Sequence, residues 1–101
     1  MRITVIGDLL YDCFIWSERL PRVGETVTGY RRGFFASGKG GNQAVQAARL
    51  GAEVYMIGKV GCDERGKILL DTLRENGVHT DFVFEDPNES TGTDCVLVDI
   101  Y

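Results

Sequence analysis

From residue 40 onward the chain alternates between two hydrophobic periods, and that alternation restricts the fold more than any other feature. "NQAVQAARL" (Asn42–Leu50) carries a helical pattern, with Asn42 as a candidate N-cap and Gly51 as the stop. "EVYMIGKVG" (Glu53–Gly61) reads as a strand closed by glycine. Asp63 is placed to cap a second helix that runs to about Asn76, with Leu69, Leu70 and Leu73 facing inward and Gly77 ending it. "HTDFVFE" (His79–Glu85) is a short strand. Strands and helices in this order build parallel βαβ units. Ala44, Ala47 and Ala48 give the first helix a smooth face that can lie close against a sheet.

Upstream, "ITVIG" (Ile3–Gly7) is a continuous apolar run, as expected for a strand buried on both faces of a parallel sheet. "CFIWSERL" (Cys13–Leu20) reads as a second strand, followed by a turn holding Pro21 and Gly24. "ETVTGYRRGFFA" (Glu25–Ala36), rich in β-branched and aromatic residues, reads as a third. The early β-rich segment implies a small sheet attached to the βαβ core. "TGTDCVLVDIY" (Thr91–Tyr101) begins one more strand, giving the order β-β-β-α-β-α-β-β. That last strand reaches Tyr101 with no visible turn or partner. An unpaired, aromatic-ended edge is a poor stopping point, so the chain is expected to be the N-terminal part of a longer protein.

The 101 residues fit at most one ordinary domain, with 44% apolar and 26% charged residues. A net charge of −4 argues against a general binder of nucleic acids or anionic membranes. No apolar run approaches the roughly 18 residues of a membrane span, and the opening "MRITVIGD" reads as a strand, so a cytoplasmic protein is expected. Cys13, Cys62 and Cys95 are odd in number and widely spaced. Buried free thiols are the expectation, with neither a zinc site nor a disulfide framework.

The segment "SGKGGNQA" (Ser37–Ala44) stands directly before the first helix. It is not a Walker A loop, because Lys39 is followed by Gly40 rather than by serine or threonine. It is not a dinucleotide loop either, since the glycine spacing fails and the segment lies some thirty residues past the first strand. Its glycines allow close backbone approach to a ligand, and the helix N-terminus favours oxygen atoms and developing negative charge. Lys39 adds a mobile positive charge, and Asn42 adds both a donor and an acceptor. Such a set suits a polyhydroxylated ligand that will receive a charged group. Read alone, it serves equally as a turn with a capping asparagine.

"GDLLYD" places Asp8 and Asp12 just past the first strand, at its carboxyl end, where ligands of open parallel sheets bind. A carboxylate there can accept hydrogen bonds from two sugar hydroxyls. Asp12 and the loop together favour a sugar site. His79 reads as a surface histidine, and Phe14, Trp16, Phe34 and Phe35 as packing or subunit-contact residues rather than ligand stackers.

These motifs, in their order and spacing, resemble the ribokinase or PfkB-type carbohydrate kinases over essentially the whole chain. "GDLLYD" resembles the family's opening sugar-binding segment, and "PRVGETVTG" (Pro21–Gly29) the entry to its lid strand. "GKGGNQAVQAARLGAEVYMIGKVG" is similar to its first signature, "GCDERGKILLDTLRENGV" to the next loop and helix, and "ESTG" (Glu89–Gly92) to the approach to the second lid segment. The resemblance implies a ribokinase-like three-layer α/β core with a small β-sheet lid, here with lid segments at about 13–36 and 91–101. It implies transfer of the ATP γ-phosphoryl group to a sugar hydroxymethyl oxygen. Asp12 would bind sugar hydroxyls, Gly38, Lys39, Gly40, Gly41 and Asn42 would line the sugar, and Lys39 would lie near the transferred phosphate. Mg-ATP is the implied co-substrate, a monovalent cation an open further requirement, and a homodimer through the lid strands the implied assembly.

Leu10 departs from the pattern, standing where ribokinases usually carry asparagine two residues before the sugar aspartate. That weakens the case for ribose and keeps open a kinase of fructose, another sugar or a nucleoside. Ser37 is a milder departure. No D-T-x-G-A-G-D-like motif, which holds the family's catalytic base, occurs here, so the base and most of the ATP site are expected beyond Tyr101 and the 101 residues alone are expected to be inactive. The alternative from another class is a non-catalytic sugar-binding or interaction module.

Overall fold

In the computed structural model, which describes residues 1–100, the elements follow the expected order: β1 (Arg2–Ile6), β2 (Leu10–Ser17), β3 (Arg31–Ser37), α1 (Lys39–Arg49), β4 (Glu53–Gly61), α2 (Glu64–Glu75), β5 (His79–Asp86) and β6 (Thr93–Asp99). They form two three-stranded sheets, ordered β1-β4-β5 and β3-β2-β6. The first is parallel throughout; in the second, β2 runs antiparallel to β3 and parallel to β6. Among the described residues no helix is long and apolar enough to cross a membrane.

Both helices lie on one face of the parallel sheet. Val5 on β1, Val54, Met56 and Val60 on β4, and Leu69, Leu70 and Leu73 on α2 meet Ala44 of α1 in the buried core. Ala44 is fully buried, as its place on the smooth face of α1 requires. Leu69 is among the most buried side chains. Its truncation to alanine is expected to cost about 3 kcal/mol, within the ~2–5 kcal/mol seen for leucine deletions that leave a cavity. Urea unfolding of the full-length protein measures this, and a loss below about 1 kcal/mol would place Leu69 outside the core.

Among the described residues, no helix or strand covers the opposite face of the same sheet. Ile6, Ile57 and Phe82 form one row across it in register, and Ile6, Phe82 and Phe84 are 77%, 61% and 59% exposed. Parallel sheets ordinarily carry helices on both faces. The described chain thus contains two of the three layers expected.

Three element starts and one strand pairing differ from the sequence reading, and β2 also ends at Ser17 rather than Leu20. β2 begins at Leu10 rather than Cys13, so Asp12 lies inside a strand and not in a loop; the Tyr11 N–H donates to Gly92 O at 2.9 Å and starts the pairing there. β3 begins at Arg31 rather than Glu25, and residues 25–30 form no strand. Glu25 accepts from the Arg19 guanidinium and from the Arg22 N–H, and pairing resumes only where the Tyr30 N–H reaches Trp16 O at 3.0 Å. α1 begins at Lys39 rather than after Asn42, with Gly38 at the N-cap position. Finally, β6 is paired along β2 from Tyr11↔Thr93 to Ser17↔Asp99, so it is not the unpartnered strand expected; Tyr101 lies outside the described residues.

The Glu25 contacts have a titration consequence. The Arg19 guanidinium first, and the Arg22 N–H second, draw the Glu25 carboxyl down to about 2, below the ~4.3 of an ordinary glutamate. A depressed carboxylate contributes stability that is present above its unfolded value and lost as pH falls through the folded one. The Glu25 carboxyl resonance is therefore expected to titrate near 2, and to return to the ordinary range in Arg19→Ala. A wild-type midpoint in the ordinary range would remove the pair.

Candidate functional site

The end of β1 and the start of α1 are pressed together backbone to backbone. The Asp8 carboxylate accepts from the Gly40 N–H at 2.8 Å, and Asp8 O accepts from the Gly41 N–H at 3.0 Å. The Asn42 N–H donates to Gly38 O at 2.9 Å. Asp8 thus caps a helix from outside its own sequence, supplying the acceptor that a capping side chain would otherwise provide. Asn42 is not the cap; it sits in the first turn, and the helix has no capping side chain at Gly38.

This arrangement explains the glycines. A Cβ on Gly40 would stand 2.7–2.8 Å from backbone atoms of Gly7 and Asp8. Gly38 has φ 94°, in the left-handed region, with Asp8 O where a side chain would go. Gly38, Gly40 and Gly41 are buried, whereas Lys39 and Asn42 are exposed. The Gly40, Gly41 and Asn42 N–H groups are engaged within the protein. The loop therefore presents the side chains of Lys39 and Asn42 outward rather than a run of free backbone donors.

The sheet register brings Asp12 to the same place. Leu10 pairs with Ser37, the residue before Gly38. Asp12 follows two residues along the strand on the same face, about 7 Å away. Its register neighbours are Phe35 on β3 and Asp94 on β6. Asp12 Oδ1 is buried and has no hydrogen-bond partner. Buried polar atoms are nearly always satisfied, because leaving one bare costs about 1–3 kcal/mol. An orphaned carboxylate oxygen on the strand face that leads to the Ser37 end of the loop is an acceptor without a donor.

A second node fixes the entry to β6. Asp63, the N-cap of α2, accepts from the Gly66 N–H at 2.7 Å, the Thr91 hydroxyl at 2.6 Å and the Thr91 N–H at 2.9 Å. Thr91 in turn accepts from the Gly61 N–H at 2.9 Å. These bonds, the Thr91 hydroxyl foremost, hold the Asp63 carboxyl below its ordinary range. The node ties the N-terminus of α2 to the segment that delivers Asp94 beside Asp12.

The remaining sequence candidates lie elsewhere. His79 is exposed at the amino end of β5, stacked on Tyr55 at 4.4 Å, opposite the end that carries the loop. Phe14 stacks on Trp16 and meets Phe35 edge-on, with the Arg31 guanidinium over Trp16 at 4.7 Å, so these rings pack within the second sheet. The cysteines are free, but Cys62 and Cys95 are exposed and only Cys13 is half-buried, against the expectation of buried thiols. Cys95 lies on β6, an edge strand of its sheet among the described residues. Among the described residues no group of three His, Cys, Asp or Glu side chains could hold a metal ion.

An α/β chain with a small second sheet beside the carboxyl end of its first strand, and a polar site between them, belongs to the ligand-binding α/β class. The chain is a member of the pfkB family of carbohydrate kinases, which it matches over residues 1–100. It is similar to a ribokinase of Bacillus subtilis, 46% identical over 96 residues that cover 95% of this chain and 33% of the relative. A deoxyribokinase of Salmonella typhi is 35% identical over 98 residues, covering 97% of this chain and 32% of that one. Among solved structures, an Arabidopsis thaliana ribokinase complexed with ribose and ATP superposes with a TM-score of 0.86 at 37% identity, covering 95% of this chain and 31% of that one. The chain thus spans about a third of the length of the relatives it matches.

Proposed function

We propose that this chain supplies the sugar-binding part of a longer kinase that transfers the γ-phosphoryl group of ATP to a sugar hydroxymethyl oxygen. The observation that carries this reading is Asp12 Oδ1, buried and unpartnered next to the loop. An ionised carboxylate only accepts, so its natural complement is a pair of hydroxyls. Asp12 orients the sugar, and the Asn42 amide contacts a further hydroxyl. Gly38, Gly40 and Gly41 shape the loop that lines the sugar. Lys39 reaches toward the transferred phosphate, offsetting charge there. The sheet of β2, β3 and β6 acts as a lid over the sugar, and exposed Phe34, on the face away from Asp12, offers a contact to a second copy, a dimer that sedimentation of the full-length protein would test. Mg-ATP and the base that takes the hydroxyl proton are held by the remainder of the longer protein, which also covers the bare face of the parallel sheet.

The test is to express the uninterrupted reading frame and assay ATP-dependent phosphorylation of ribose, 2-deoxyribose, fructose and nucleosides. Turnover of one of these by the full-length protein, and none by residues 1–101 alone, is the expected result. Turnover by the 101 residues alone, or by neither, would overturn it. Leu10 favours a second reading on the same chemistry. It shares the face of Asp12 and Ser37, so it sets an apolar group where ribokinases present an amide. That suits a sugar with one hydroxyl fewer, in line with the similarity to a deoxyribokinase.

A further inference from the structure

Asp94 had no role in the sequence reading, yet the sheet sets it directly beside Asp12. The two are register neighbours on parallel strands, so their side chains stand on one face about 4.8 Å apart at the backbone. Asp94 is exposed and Asp12 half-buried. Neither carboxylate takes part in an ion pair or a hydrogen bond among the described residues. Like charges side by side on neighbouring strands work against the sheet. β6 holds the apolar run Cys95 to Val98 between two acids, Asp94 and Asp99; of the two, Asp94 is the one set level with another carboxylate on β2, Asp99 standing opposite Ser17. The Asp63–Thr91 node and the bond from the Arg65 guanidinium to the Thr93 hydroxyl fix the chain immediately before it. Asp94 is therefore held in place by its backbone, with its side chain unspent.

We infer that Asp94 is a specificity residue of the sugar site: a second carboxylate that selects neutral, donor-rich sugars and rejects sugar acids. The inference rests on the sugar-kinase reading above. Two adjacent acceptors ask for a ligand edge that carries several hydroxyl donors, with a diol on Asp12 and a neighbouring hydroxyl on Asp94. A carboxylated sugar would bring a third negative charge and no donor to meet it. Discrimination of this kind works by leaving the wrong ligand with unpaired or repelled groups.

The experiment uses the full-length protein and its Asp94→Ala and Asp94→Asn variants. Kinetics are measured with ribose, 2-deoxyribose and fructose, and with ribonate and gluconate as the acidic probes. For the neutral sugar turned over, Asp94→Ala is expected to raise KM about ten-fold, the value of one hydrogen bond to a charged group. Its kcat should stay within about two-fold and the KM for ATP should not move, a split that a merely structural role would not produce. Asp94→Asn is expected to narrow the preference for the neutral sugar over the acid by a similar factor. Melting temperatures should not fall in either variant, since a like-charge neighbour has been removed. If both variants keep the wild-type sugar KM and the wild-type preference, or the wild type accepts the acids as readily as the neutral sugars, Asp94 has no such role and the kinase reading stands. If the wild type phosphorylates no sugar at all, the kinase reading and the role of Asp94 fall together.

Discussion

Gly40→Ala is expected to destabilise the protein by about 3–5 kcal/mol and to abolish sugar binding with it. On propensity alone the sign would be the reverse, because alanine is favoured over glycine in a helix by about 1 kcal/mol. The added Cβ, however, would sit 2.7 Å from the Gly7 carbonyl carbon, and 2.8 Å from both Gly7 Cα and Asp8 N. All three are backbone atoms just past the end of β1, and none can swing aside. Either α1 backs away from the sheet or β1 bends. Both movements break the Gly40 N–H bond to the Asp8 carboxylate, and the Gly41 N–H bond to Asp8 O beside it. Overpacking typically costs ~1–3 kcal/mol, and each bond lost adds about 0.5–1.5 kcal/mol. Lys39→Ala, one residue away and exposed, is the control: it should change stability by no more than about 0.5 kcal/mol. Urea unfolding of the two variants separates the contributions. A Gly40→Ala protein as stable as Lys39→Ala would mean that the β1–α1 contact is looser than its geometry indicates.

The same contact shows where local sequence signals carry the fold and where they stop. β4 runs from Glu53 to Gly61 and α2 from Glu64 to Glu75, as the sequence implies. Their signals are local: an apolar run closed by glycine, a capping aspartate, leucines at helical spacing, and Gly77 with φ 81° just past the helix end. The start of α1 has no local signal, because it is set by a partner 32 residues away. Asp8 accepts from the Gly40 N–H, and this lets the helix begin at Lys39 with a run of glycines that propensity disfavours. β2 lies three residues earlier than the local pattern implies, at Leu10–Ser17 rather than Cys13–Leu20, for a related reason. Asp12 is a poor strand former, but pairing to both β3 and β6 draws it into the sheet. Of the proposed site, Asp12 and the Lys39–Asn42 turn are visible as chemistry in the sequence. Asp94 is not, because adjacency across strands separated by 82 positions has no local signature. The polar residue before "CVLV" was the one available hint, and only register gives it meaning.

Asp12→Asn is expected to lower sugar affinity by roughly 10²–10⁴-fold while leaving the protein as stable as before, or more so. The affinity estimate follows from two hydroxyl hydrogen bonds to a charged acceptor, each worth about 1.5–3 kcal/mol. The stability side is the more discriminating half. In the structure Asp12 Oδ1 is buried without a donor, and the neighbouring strand carries a second acid at the same level. An uncompensated carboxylate of this kind costs folding free energy, so replacing it with the neutral isostere relieves the sheet. A residue kept for packing would show the opposite pattern, with stability falling and binding following only as the fold loosens. Calorimetric titration with the sugar and thermal melts of the same samples read both quantities. Loss of binding with an unchanged or raised melting temperature identifies Asp12 as a binding group retained against the interest of the fold. Full binding in Asp12→Asn would remove Asp12 from the site, and with it the observation on which the sugar-kinase reading chiefly stands.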